Sequence, residues 1–195
     1  DLPRLLELLG RVDASNLKSI VFAPPVYQTV GADERGYIIV PDVEKIRRAI
    51  LAAFVTLAGY LAAFLAGQRG RNHSVITDYS CRPEFISLAR FVRGGHWLDL
   101  DWLWEITIRE CRLDLARFAA NPVPLTVVAT RVADGQAAYL KANAAELEQQ
   151  IKASCSVPLV YRDFVRIDGE AMTDGGVADS IPVRHAYEQG ARDIT

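Results

Sequence analysis

The sequence predicts an α/β fold on three observations. Leu125-Thr126-Val127-Val128-Ala129-Thr130 is almost continuously apolar, as a buried parallel strand is. Short strand patterns at Gln136–Leu140 and Phe164–Ile167 alternate with a helical pattern from Ala142 to Ser154. The chain has 195 residues, 50% of them apolar, which suffices for one ordinary domain with its own core.

In chain order, Leu5, Leu6, Leu8 and Leu9 form one side of a short amphipathic helix closed by Gly10. A strand at Ser19–Phe22 is ended by Pro24-Pro25, and residues 26–36 read as loop. Tyr37–Val40 is a short extended run stopped by Pro41. Asp42 then caps a helix with Lys45, Arg47 and Arg48 on its polar side. Residues 49–66 carry no charge. At 1.5 Å per residue they reach about 27 Å, just short of the roughly 30 Å hydrocarbon core of a bilayer. Their alanines and Gly59 suit a helix buried against a sheet; a single membrane span is the alternative. Leu98, Leu100, Leu103, Trp104 and Ile108 have helical spacing, a further stretch leads from Arg112 toward Phe118, and Asp168-Gly169 marks a tight turn after the last strand pattern.

Composition excludes several classes of function. The formal charge of -2 provides no excess of basic groups for a phosphate backbone, so nucleic acid is not an expected partner. Cys81, Cys111 and Cys155 are odd in number and widely spaced, which predicts reduced structural thiols and no zinc site. His73, His96 and His185 also lack metal spacing and read as ordinary surface or hydrogen-bonded histidines, and no organic cofactor is implied. Asp101 and Glu105, four apart, read as a solvated helix face. Trp97, Trp102 and Trp104 read as core, with an acyl-lined cavity the alternative. The start, Asp1-Leu2-Pro3-Arg4, has no signal-peptide order and reads as a mature or cut end.

The chemistry concentrates in three blocks. Gly67-Gln68-Arg69-Gly70-Arg71-Asn72, with Tyr79 and Arg93-Gly94-Gly95 beyond it, comes first. Ala153-Ser154-Cys155-Ser156-Val157-Pro158 is second, and Thr173-Asp174-Gly175-Gly176 running on to Val183 is third. In the third, a carboxylate followed by two glycines allows a sharp backbone turn that leaves the oxygens unobstructed. A proton acceptor needs that access, although on turn chemistry alone an Asp-Gly turn at the surface is the commoner arrangement.

In order and separation the three blocks resemble the patatin-like phospholipase family, over roughly residues 67–195. The resemblance implies a three-layer α/β sandwich with a mostly parallel central sheet. It also implies a lipid acyl hydrolase in which a serine in Gly-x-Ser-x-Gly attacks the ester carbonyl and an aspartate takes the proton. A glycine-rich loop upstream provides backbone donors for the oxyanion. By position, Asp174 matches the general base, Gly175 and Gly176 the turn that presents it, and Ser154 and Pro158 the block that shapes the adjoining wall. The implied partner is a lipid or other acyl ester, with peripheral membrane contact, in a cytoplasmic or membrane-peripheral protein. A non-catalytic homologue that binds lipid or protein is the alternative.

Residues 1–66 diverge from this pattern within what is otherwise read as one domain, incomplete or rearranged, over 1–195. The sequence contains no Gly-x-Ser-x-Gly. Counted back from Gln68, the nucleophile position falls near Val55, Thr56 and Leu57, none of which suits a strained elbow. Where a glycine-rich loop should follow the first strand stand Ala23-Pro24-Pro25, and proline has no N–H to offer an oxyanion. If the full fold of the family forms, Asp174 is expected beside the mouth of a mainly apolar cleft.

Overall fold

The structure is a computed structural model and describes residues 20–22, 57–79 and 82–192. The expected elements at Leu5–Gly10, Tyr37–Val40 and after Asp42, the positions Val55 and Thr56, and Cys81 lie outside the described residues.

The sheet is organised around one strand. β1 (Ile20–Phe22) is parallel to β2 (Leu125–Arg131), pairing Ile20 with Leu125 and Phe22 with Val127. β3 (Ala137–Lys141) runs antiparallel along β2, from Thr126 opposite Lys141 to Thr130 opposite Ala137. β4 (Val165–Ile167) and β5 (Glu170–Asp174) form a hairpin, and β5 is antiparallel to β2 from Ala129 to Arg131. β3 spans both stretches of β2, so β1 and β5 share its other edge, one after the other. Among the described residues the pairing is thus mostly antiparallel, which corrects the mostly parallel sheet expected from the sequence. The connections explain it. A turn of a few residues can join only antiparallel neighbours, whereas parallel strands need a long crossover. Arg131–Ala137 is such a short link, and Asp168 and Gly169, with φ of 51° and 81°, make the two-residue hairpin turn that matches strand twist. The apolar run at 125–130 reflects burial on both faces of a central strand, which does not require parallel partners.

The helices pack on this sheet. α1 (Leu57–Leu65) is buried at Ala58, Leu61, Ala62, Ala63 and Leu65. It ends in a reciprocal pair of bonds, Gly67 N–H to Phe64 O and Gln68 N–H to Ala63 O, the glycine-dependent stop of many helices. No described helix is long and apolar enough to cross a membrane, and the described part of the uncharged stretch is a buried helix. α2 (Arg71–Ser74) runs into a wider turn at Val75–Tyr79. α3 (Leu88–Val92), α4 (Leu100–Glu110) and α5 (Leu115–Ala120) each start at a side-chain cap, Ser87, Asp99 and Asp114 respectively.

α6 (Leu147–Cys155) packs against β2, β4 and β5. It starts later than the sequence pattern suggests, because the Asn143 side chain accepts the N–H groups of Ala145 and Glu146 and holds them in a preceding turn. Leu147, Ile151 and Ala153 join Leu125, Val127 and Ala129 in the core. α7 (Val183–Glu188) closes the described chain.

Candidate active site around Asp174

Asp174 is the last residue of β5, opposite Ala129, and only 6% exposed. The surface turn favoured by turn chemistry alone is therefore not what forms. Its backbone is held on both sides: Asp174 N–H donates to Ser156 O at 3.1 Å, and Asp174 O accepts the Thr130 hydroxyl at 2.7 Å. Ser156 O also accepts the Thr173 hydroxyl, so the end of the second sequence block is bonded directly to the start of the third. The blocks are far apart in sequence and contiguous in space.

The two glycines do different things. Gly176 N–H donates to Asp174 Oδ1 at 2.7 Å. Gly175 is needed for close approach: a Cβ there would lie 2.2 Å from Val128 O and 2.6 Å from Val128 C, inside any tolerable contact. The turn can lie flat on β2 only because that position has no side chain.

Burial pushes the Asp174 carboxyl up to about 6, and the single Gly176 N–H only partly opposes it. Among the described residues no cation pairs with it. A carboxylate desolvated in this way is a stronger base than one in water, and its proton affinity falls near neutral pH, where a general base is most effective.

The parallel register of β1 adds a relation that the sequence could not show. Phe22 lies opposite Val127 and Asp174 opposite Ala129 on the same edge of β2. The C-terminal end of β1 is thus two residues of β2, about 7 Å along the strand, from the register position of Asp174. β1 is the strand after which the resemblance puts an oxyanion loop.

Ser154 and Pro158 flank this junction. Ser154 is fully buried and its hydroxyl has no hydrogen-bond partner among the described residues, while Pro158 is half-buried in the turn after α6. Residues not singled out in the sequence also hold the turn. Thr130 accepts the Ala178 N–H as well as donating to Asp174 O. Tyr139 on β3 donates its hydroxyl to Asp179 Oδ2 at 2.6 Å and stacks face to face on His185, with ring centroids 3.7 Å apart. Asp179 N–H in turn donates to Gly175 O. The only local sign of this group was a threonine ending an apolar strand; the rest depends on long-range pairing.

Other expectations resolve differently. The first block is a clamp. Gln68 Oε1 accepts Asp114 N–H and its Nε2 donates to Arg112 O, while Arg71 Nε donates to Cys111 O. Tyr79 donates to Glu110. Cavity space of about 50 Å³ is lined by Gly59, Asn72, Trp104, Thr107 and Cys155 among others, but not by Asp174, so it is not the apolar cleft expected beside the base. It is also far too small for an acyl chain. Trp102 and Trp104 pack against the core, and Trp97 lies 6.1 Å from Phe91.

His96, Asp101 and Asp163 bring candidate metal-ligand atoms within 4.8 Å of one another. The donor set fits an ion poorly. His96 Nδ1 accepts the Arg162 N–H, so the neutral ring carries its proton on Nε2, the atom that faces both carboxylates. Asp101 Oδ1 is also taken by Lys152, and Oδ2 accepts the Tyr161 hydroxyl. The cluster is a hydrogen-bonded network around the Lys152–Asp101 ion pair.

The family model for patatin-like phospholipase matches residues 23–187, which takes in the buried Asp174 and its turn. The chain belongs to the patatin-like phospholipase family. An Escherichia coli (strain K12) protein, described as the uncharacterized protein YjjU, is 32% identical over 173 residues, covering 84% of this chain. The chain spans about half, 48%, of the length of that relative. Family membership supports an α/β fold. The match begins at residue 23, directly after β1, and so includes the stretch in which the sequence departs from the nucleophile and oxyanion patterns.

Proposed function

We propose that this chain carries the general-base half of a lipid-ester acyl hydrolase, with Asp174 as the proton acceptor. The observation that carries the reading is a carboxylate at a strand end, buried with no cation and one backbone donor among the described residues, and pushed up to about 6. In the reaction this reading assigns, a serine Oγ bonds to the ester carbonyl carbon as its proton passes to Asp174. The alcohol then leaves with that proton, and water, deprotonated by the same carboxylate, releases the acid and restores the serine. Gly175 and Gly176 hold the carboxylate in place, and Ser154 and Pro158 belong to the wall beside it. The family's three-layer sandwich and a membrane-peripheral location belong to the same reading, as do one domain over 1–195 and lipid as the partner.

The absence of Gly-x-Ser-x-Gly favours a second reading, a non-catalytic homologue that keeps the scaffold and binds lipid or protein. One experiment separates the two. The folded chain is treated with a fluorophosphonate, and its intact mass is compared with that of Asp174→Ala, followed by peptide mapping. A single adduct that depends on Asp174 supports hydrolysis by this chain and identifies the attacking hydroxyl. No adduct, with a control hydrolase labelled in the same tube, rejects hydrolysis by this chain and leaves the binding reading.

A further inference from the structure

We propose that α3 and the turn at Leu159 form a docking face for the anionic surface of a lipid bilayer. α3 buries none of its five residues. Leu88 and Val92, 63% and 78% exposed, are four apart and so share one side of the helix. Leu159 is 82% exposed and has a φ of 75°, a left-handed conformation that leucine rarely adopts. The two sites are fastened together. Val160 O accepts the N–H groups of both Trp97 and Leu98, and the Arg162 guanidinium donates to Phe91 O and Gly94 O while lying 4.6 Å over the Phe91 ring.

Charge selects the occupant. Residues 82–97 contain Arg82, Arg90 and Arg93 against Glu84 alone, a local balance of 3 minus 1, or +2, in a chain whose formal charge is -2. Arg90 is taken up by the carbonyls of Glu84, Phe85 and His96 and stands 3.8 Å from Asp99, and the nearby Asp163 faces His96. Arg93 and Arg162 make no ion pair among the described residues. Exposed aliphatic side chains beside arginines without carboxylate partners suit the boundary between headgroups and acyl chains, where the guanidinium groups meet phosphate. A second copy docked face to face would set these arginines against each other.

The choice of lipid rests on the acyl-hydrolase reading, and the experiment keeps the two apart by using lipids that cannot be hydrolysed. The whole chain is floated with vesicles of ether-linked phosphatidylglycerol and phosphatidylcholine, and with phosphatidylcholine vesicles alone. Flotation with the anionic vesicles is expected to be at least tenfold tighter. Leu88→Ser with Val92→Ser should lower it at least tenfold with an unchanged circular dichroism spectrum, and Arg93→Glu should lower it several-fold. Failure to float with anionic vesicles overturns the proposal, as does equal flotation of the double variant. A concentration-dependent dimer in sedimentation equilibrium, abolished by the double variant, overturns it in favour of a second copy. Because ether lipids have no ester, flotation without a fluorophosphonate adduct retains the docking face and rejects only catalysis.

Discussion

Asp174 and Asp101 are the same side chain in two environments, and the protein drives them in opposite directions. Asp101 is rich in partners: burial raises its carboxyl, but Lys152, the Tyr161 hydroxyl and His96 together outweigh that and hold it below the usual carboxylate range. Among the described residues Asp174 has a single backbone donor and no cation, and burial pushes it up to about 6. The crowded polar cluster is therefore the inert one, a set of groups already satisfied by each other. The sparse site keeps an unspent affinity for a proton. In this molecule a carboxylate's affinity for a proton follows from what is withheld around it.

The largest way to break the contrast is Gly175→Ala. Its methyl must displace the Val128 backbone, so a loss of about 3 kcal/mol or more in urea unfolding is expected, at the upper end for overpacking. Gly70→Ala, with nothing within 4 Å, should stay within about 0.5 kcal/mol of the parent.

Asp174→Asn comes next and is read as a pH dependence. A folded-state pKa above the unfolded value means that the unfolded chain ionises first, so the parent loses stability as pH rises from about 4 to about 6. Asparagine cannot ionise. Its stability relative to the parent should therefore improve over that interval, by up to about 3 kcal/mol, and stay level above it. A difference that is flat with pH would remove the burial argument.

How much of this was legible in the sequence depends on the range of the interactions. The Asp-Gly-Gly turn, the Asp168-Gly169 hairpin, the central strand and α1 are local patterns, and each forms where its residues indicate. The burial of Asp174 was not readable, because it requires Ser156, Thr130 and Val128 to arrive from elsewhere in the chain. The sheet sense was misjudged for a related reason: an apolar run reports two covered faces and carries no information about strand direction. His96 lacked metal spacing in the sequence, yet the fold brings it to two carboxylates. Only the bond at Nδ1 shows why that group is a hydrogen-bonded network around an ion pair.

Two smaller effects sharpen the comparison. Tyr139→Phe removes the hydroxyl that holds Asp179 and should destabilise by about 1 kcal/mol, measured by thermal unfolding. Asp101→Asn should lose less than about 1 kcal/mol, since the carboxylate is 54% exposed and solvent screens its partners. Its sign with pH is the reverse of that at Asp174. A lowered folded-state pKa stabilises above the ordinary carboxylate range, so the difference between Asp101→Asn and the parent should shrink on acidification.

The most direct measurement is an NMR titration of the Asp174 side-chain carboxyl carbon in the folded chain, assigned by its absence in Asp174→Asn. A midpoint near 6, well above that of Asp101 in the same spectra, is the predicted result. A midpoint in the ordinary carboxylate range near 4 would contradict the claim that burial without a cation makes Asp174 the base of this site.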